Sequence, residues 1–249
     1  MSYIDAKKLV KEYGTGAATV TAVGGVNLCI NAGEFVAVMG ESGSGKSTLL
    51  SMLGGLNAPT AGSFLVDGVD VYTLTSDERA DFRKKSIGFV FQNFHLLPYL
   101  TLAENVMLPL AIVKMSKKQK LAAAVDALAR VGLSDKAHRL PNQVSGGEQE
   151  RVAIARAVVN HPPIILADEP TGNLDTHTGS EIMKLLTALN QEGITVIMVT
   201  HSNEYAHYAR RLIRLSDGRV VEKGTGTKLS PSPSGKRRRT GGKKEKRLT

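Results

Sequence analysis

The chain has 249 residues, a single cysteine and a formal net charge of +9, long enough for one large domain or two small ones with a sizeable core. Cys29 alone excludes an internal disulfide, and the first residues carry no basic-then-apolar leader. The longest apolar run, residues 106–113, contains Pro109 and falls far short of a membrane span, so the protein is expected to be soluble or held at a membrane only through a partner.

The charge divides unevenly. Residues 1–224 hold 23 Lys and Arg against 22 Asp and Glu, while residues 225–249 hold nine against one. The body is nearly neutral and gives no reason to expect a specific nucleic-acid partner.

Residues 3–6, 19–23 and 26–30 read as short strands broken by Gly14, Gly16, Gly24 and Gly25. Cys29 lies in the alternating stretch of Val26, Leu28 and Ile30 and is expected to be a buried structural thiol. Tyr13, an aromatic between strands, is either a packing residue or one that stacks on a base. Residues 34–39 are an apolar run that reads as a buried strand, and Leu49, Leu50, Leu53 and Leu56 follow at helical spacing. Between them Gly40, Ser42, Gly43, Ser44, Gly45, Lys46, Ser47 and Thr48 fit the pattern G-x-x-x-x-G-K-[ST]. Its glycines let backbone N–H groups curl round an anionic oxygen, and the helix start adds free donors and partial positive charge. Lys46 is placed to reach the β- and γ-phosphates of a nucleotide, and the Ser47 hydroxyl to hold magnesium.

A β patch at 62–68 joins the N-terminal strands in a predicted small antiparallel sheet. Residues 87–91 are an apolar strand candidate ending at Gln92, and residues 102–157 read mostly as helix, most plainly at 121–129. An inserted helical subdomain over about 93–157 is expected. Within it Ser145, Gly146 and Gly147 open a helix with acids early and arginines later, an end able to grip a γ-phosphate; as a lone motif it is also an ordinary capped helix. Strands at 164–167 and 195–199, separated by a helix over 180–191, predict a parallel sheet covered on both faces. Asp168 and Glu169 follow the first of these strands, where ligands of open α/β sheets collect. Asp168 is expected to help hold magnesium through its waters, and Glu169 to orient and deprotonate the water attacking the γ-phosphate. From Thr225 a Ser-, Pro- and Gly-rich basic tail is expected to be disordered, either a solvated extension or one that touches anionic lipid or, weakly, RNA.

Taken in order, the phosphate loop, Gln92, residues 144–148, residues 166–169, residues 173–175 and His201 resemble the nucleotide-binding subunit of an ATP-binding-cassette (ABC) transporter over residues 3–224. Residues 92–98, 102–106 and 170–175 are similar to the lipoprotein-releasing and macrolide-exporter group. The resemblance implies an α/β P-loop NTPase core of RecA type with mainly parallel sheet, a flanking antiparallel β subdomain and a helical insertion. It also implies an ATPase that uses ATP and magnesium as a head-to-tail homodimer at the cytoplasmic face of the inner membrane. The partner would be a permease with a large extracytoplasmic domain.

By the same resemblance Tyr13 stacks on adenine, Gln92 contacts magnesium and water, and His201 is the γ-phosphate switch. Ser145, Gly146, Gly147 and Glu148 reach the nucleotide of the other subunit, and Asp175 links the two sites. The other five histidines are expected at the surface or in packing. Val144 and Glu148 depart from the commonest family signature, which has leucine and glutamine there. The apolar stretch of Phe94, Leu96, Leu97, Pro98 and Tyr99 is expected to receive a cytoplasmic helix of the permease. The rival readings are a cell-division ATPase that controls wall hydrolases, and a soluble ABC protein of translation or DNA repair. The second usually has two cassettes or a coiled-coil insertion, which this chain lacks.

Overall fold

The computed structural model describes residues 2–225, apart from the side chains of Ala17 and of 222–225. The predicted basic tail lies outside the described residues except for Thr225. In chain order the elements are β1 (Ile4–Tyr13), β2 (Val20–Ile30), β3 (Phe35–Met39), α1 (Lys46–Leu53), β4 (Ala61–Val66), β5 (Val69–Asp70), α2 (Ser76–Ser86), β6 (Ile87–Val90) and α3 (Leu102–Met107). There follow α4 (Lys117–Arg130), α5 (Gly146–Val158), β7 (Ile164–Asp168), α6 (Thr176–Gln191), β8 (Thr195–Thr200), α7 (Asn203–Ala206), β9 (Arg211–Ser216) and β10 (Arg219–Thr225).

The unrelieved apolar runs pair as a six-stranded sheet in the order β10-β9-β3-β8-β7-β6, parallel except for the β9–β10 hairpin at one edge. Every residue of β3 and β8 is buried, which is what a sheet covered on both faces demands. Alternate side chains serve two cores. Phe35, Ala37, Ile165, Ala167, Val196 and Met198 pack on the side of α3 to α6. Val36, Val38, Leu166, Ile197 and Val199 pack on the side of α1 and the antiparallel sheet. Fully burying such a side chain is worth roughly 1.5–3 kcal/mol, so a one-residue slip of either strand would exchange the two cores.

The predicted flanking sheet is present, in the order β2-β1-β4-β5, but its first strands are long and continuous. Gly14 and Gly16 separate β1 from β2 as expected, but Gly24 and Gly25 sit inside β2: Leu9 pairs with Val26 and Val10 with Gly24, leaving Gly25 as an unpaired bulge residue at φ +79. Cys29 corrects the expectation of a buried thiol. Val26, Leu28 and Ile30 are buried and Cys29 is exposed, because strict alternation turns it to the opposite face, where its Sγ lies 3.5 Å from Asp5 Oδ1. Leu56, expected on the first helix, lies beyond the end of α1 and is half exposed.

Parallel pairing brings the carboxyl ends of four strands to one edge. Met39 is opposite Thr200, Asp168 opposite Val199, and Val90 opposite Ala167. The phosphate loop, Asp168–Glu169, His201 and Gln92 each follow one of these ends, so the fold alone gathers them.

Candidate functional site

The loop after β3 is a cradle for an anion. Gly45 caps α1 at φ +96, and a Cβ there would meet the Ala22 carbonyl oxygen at 2.2 Å, so only glycine fits. Lys46 is buried and its Nζ donates to the Gly40 and Glu41 carbonyl oxygens, each at 2.8 Å. The hydroxyl of Ser44 is buried and has no hydrogen-bond partner among the described residues. A buried cation, an orphaned hydroxyl and a helix start with free N–H groups fit phosphate oxygens. Beside them opens a cleft of about 540 Å³, lined by residues 40–44, His201, Asn203 and Arg214 among others.

The Ser47 hydroxyl donates to Asp168 Oδ1 at 3.1 Å. Burial pushes the Asp168 carboxyl up from the usual range, with Glu169 adding to the rise; the Ser47 hydrogen bond and Lys46 pull it back. One hydroxyl and one carboxylate are a sparse oxygen set. That suits magnesium, which is commonly held by one or two carboxylates together with water and substrate phosphates. Glu169 has φ +46 and its N–H donates to Val199 O at 3.0 Å, a conformation uncommon for a side chain of its size. Its Oε2 accepts a hydrogen bond from His201 Nδ1 at 2.7 Å. The acid of one strand end is thereby tied to the histidine of the next.

Gln92 is exposed, and its Nε2 lies 3.0 Å from where a Cβ on Gly172 would sit. Asn173 Nδ2 donates to Gln92 O at 3.0 Å and to Asn93 Oδ1 at 3.2 Å, so the loop after Glu169 is stitched to the loop after β6. The stitch continues to α5, because Leu174 and Phe94 are the atoms a Cβ on Gly146 would approach. Arg156 of α5 donates to the carbonyl oxygens of Phe94 and His95, both residues with positive φ.

A second helix start points outward. Ser145 caps α5 and accepts from Glu148 N–H at 3.3 Å, while Glu148 Oε2 accepts from Ser145 N–H at 3.0 Å. Glu148 also pairs with Lys136, which with the Ser145 hydrogen bond holds its carboxyl below the usual glutamate range. Ser145 and Gly146 are exposed, whereas a Cβ on Gly147 would meet Thr178 Cγ2 at 2.2 Å. That close approach sets α5 against the start of α6, which Asp175 caps through Thr178 N–H at 3.0 Å.

A family model described as ABC transporter matches residues 23–172, more than half of the chain. The chain belongs to the ABC transporter ATPases. An ABC transporter ATP-binding protein of Methanocaldococcus jannaschii is 49% identical over 219 residues, 88% of this chain and 98% of that protein. A macrolide export ATP-binding/permease protein of Chlorobium phaeobacteroides is 51% identical over 222 residues, covering 89% of this chain and 34% of that protein. The chain thus spans about a third of the length of the macrolide exporters it matches. A dimeric ATP-binding cassette solved in a post-hydrolysis state with ADP and Pi superposes at a TM-score of 0.83 and 44% identity, covering 91% of this chain and all of that one. The fold of this ABC ATPase is therefore the expected one, and hydrolysis of ATP is its activity.

Within the ABC ATPase the structure groups the predicted residues unevenly. Lys46, Ser47, Asp168, Glu169 and His201 form one connected set at the sheet edge. Gln92 joins through Gly172 and Asn173, and Ser145 and Asp175 stand at two packed helix starts. Tyr13 does not line that cleft but presents an exposed ring: it ends β1, is 45% exposed, accepts from Asn57 Nδ2 at 2.5 Å and has Lys11 Nζ 5.2 Å from its ring centroid. All five remaining histidines are exposed. Lys136 and Arg156 were not singled out from sequence, since neither belongs to a phosphate-binding pattern. The cleft wall at residues 214–217 was missed as well, although Asp217-Gly218 is a hairpin-turn signal.

Proposed function

We propose that residues 1–224 form one ABC ATPase domain, with a helical subdomain over about 93–157, that drives a membrane permease of the lipoprotein-releasing or macrolide-exporter kind. It acts from the cytoplasmic face of the inner membrane as a head-to-tail homodimer closing on two ATP molecules. The observation that carries this reading is the pair of anion-receptive helix starts in each chain, at Gly45–Lys46 and at Ser145–Gly146, the second exposed and apart from the cleft of the first. Among the described residues no helix is long and apolar enough to cross a membrane; in this reading the basic residues of 225–249 touch anionic lipid.

In this reading Lys46 and residues 40–45 hold the β- and γ-phosphates, Tyr13 stacks on the adenine, and Thr48 backs the loop. Ser47, Asp168 and Gln92 would hold magnesium, which neutralises developing charge on the phosphate oxygens. Glu169 takes the proton of the attacking water, and His201 fixes the carboxylate by its Nδ1–H and stabilises the γ-phosphate. Ser145, Gly146 and Gly147 meet the γ-phosphate bound to the second chain, Glu148 closes the cap behind them without touching it, and Asp175 lies between the two sites.

Ser145→Arg tests the shared site. It places bulk and charge at the outward helix start, so ATP binding by the monomer should persist while turnover falls at least a hundredfold. Wild-type specific activity should rise with protein concentration as dimer forms. Turnover by Ser145→Arg within a few-fold of wild type would exclude the arrangement.

The stretch expected to receive the permease is exposed only in part. Leu96 packs on the helical core and Leu97 is half-buried with its backbone held by Asn105, leaving Pro98 and Tyr99 as the exposed members of that stretch, Tyr99 at 73%. Leu56, Ile87, Phe89, Phe91, Leu108 and Ile112, with Arg83, Lys84 and Arg156, line a mainly apolar groove of about 360 Å³. An apolar groove of this kind between the sheet edge and the helical subdomain fits an amphipathic helix. Ile112, 68% exposed, is the position to charge: Ile112→Asp should leave basal ATPase within twofold and abolish stimulation by the co-purified permease. Loss of basal activity would make the groove part of the core instead.

A further inference from the structure

The signature helix start carries a feature that the other capped helices lack. Four helices begin with a reciprocal box between the capping side chain and the third residue: Thr75 with Glu78, Thr101 with Glu104, Ser116 with Gln119, and Ser145 with Glu148. Among the described residues only the last has a cation in salt-bridge contact with its carboxylate, Lys136, from the 3-10 turn Ser134–Lys136, with Arg151 acting on it from farther off. The contact is sheltered, with side-chain exposures of 25% for Lys136 and 16% for Glu148. Both carboxylate oxygens are engaged, Oε2 by the Ser145 N–H and Oε1 by the Lys136 ammonium. Gln119 closes its box with a neutral amide, so this fold needs no charge at that position.

A carboxylate at the third residue stabilises an isolated helix start, because it meets the positive end of the helix. It is unfavourable where that end must receive an anion. A multiply charged γ-phosphate arriving at Ser145, Gly146 and Gly147 would meet a fixed negative charge within one helical turn, in an interface that excludes water and so weakens screening. Lys136 cancels that charge and draws Oε1 aside, and the serine hydroxyl and glycine N–H groups keep their polarity toward the phosphate.

We propose that Lys136 is a positioning residue for ATP hydrolysis: it neutralises and holds Glu148 so that the Ser145 end of α5 accepts the γ-phosphate carried by a second copy of this chain. The inference rests on the shared-site reading above. Lys136 touches no substrate and acts only through Glu148.

The test is a set of full-length variants assayed for kcat, KM and monomer affinity for ATP. Lys136→Met should lower kcat about tenfold and demand more protein for half-maximal specific activity, with monomer affinity for ATP unchanged. Lys136→Arg should retain most of the activity. The decisive arm is Lys136→Met combined with Glu148→Gln, which removes both charges and keeps the box: kcat should return to within about twofold of wild type. A merely structural ion pair would also be rescued by removing its partner charge, but its loss and rescue would follow Tm. Here Tm of Lys136→Met should stay near wild type while kcat falls, so a kcat that tracks Tm across the variants overturns the proposal, as does a double variant as slow as Lys136→Met or wild-type kcat in Lys136→Met. If Ser145→Arg abolishes turnover and the Lys136 variants do nothing, this inference alone fails; if Ser145→Arg is active, the shared site fails and takes this with it.

Discussion

Glu169→Gln is expected to lower kcat by roughly a hundredfold to ten-thousandfold, the usual contribution of a positioned general base, while leaving ATP affinity within a few-fold of wild type. The reason is local. Glutamine keeps the size of the side chain and can still accept the His201 Nδ1–H hydrogen bond that glutamate accepts at 2.7 Å, and Asp168 and Ser47 keep their own contact at 3.1 Å. What disappears is the group that takes the proton of water. If each nucleotide joins two chains, blocking hydrolysis also blocks reopening, so with ATP and magnesium the variant should accumulate as a dimer by light scattering. A kcat within tenfold of wild type would show that Glu169 is not the base.

The readability of this chain follows from where its structure is made by short-range rules. The phosphate loop, the acid pair and the buried strands were legible because Gly45, Lys46 and the apolar runs each have a local reason for their place. The helix α2 was not anticipated: none of its residues is buried, so it has no apolar period to read, although Thr75 and Glu78 spell a capping box. The β1 and β2 boundaries were misjudged because a glycine in a bulge and a glycine that ends a strand look alike in sequence; only the partner strand decides. Cys29 was misjudged for a simpler reason, since the same alternation that buries Leu28 and Ile30 requires it to face out. The Lys136–Glu148 pair joins residues twelve apart through a turn, and no local pattern announces such a contact.

The largest stability effect belongs to Glu150, two residues after Glu148 on α5. Its side chain is fully buried, and neither carboxylate oxygen has a hydrogen-bond partner among the described residues. Burial pushes its pKa from 4.5 up to about 9, with Arg156 pulling weakly the other way. The folded protein therefore keeps a proton that the unfolded chain releases. Since the native state binds more protons between those two values, stability is fully present below about pH 4.5 and is lost progressively as pH rises toward 9. Glu150→Gln has the same shape and nothing to ionise. Other titrating groups are common to both proteins, so the difference between their stability curves isolates this carboxyl. The two should unfold at nearly the same temperature at pH 5, and by pH 8.5 the variant should be more stable by about 2–4 kcal/mol, a rise in Tm of roughly 5–10 °C. Scanning both proteins by calorimetry from pH 5 to 9 measures this directly. Parallel curves would mean that the Glu150 carboxylate is charged and partnered in the folded state. Because α5 carries both Ser145 at its start and Arg156 against Phe94 and His95, a carboxylate forced to ionise at Glu150 strains the one helix that ties the outward anion site to the loop after Gln92. Turnover of the wild type, but not of Glu150→Gln, should then fall at alkaline pH along with its stability.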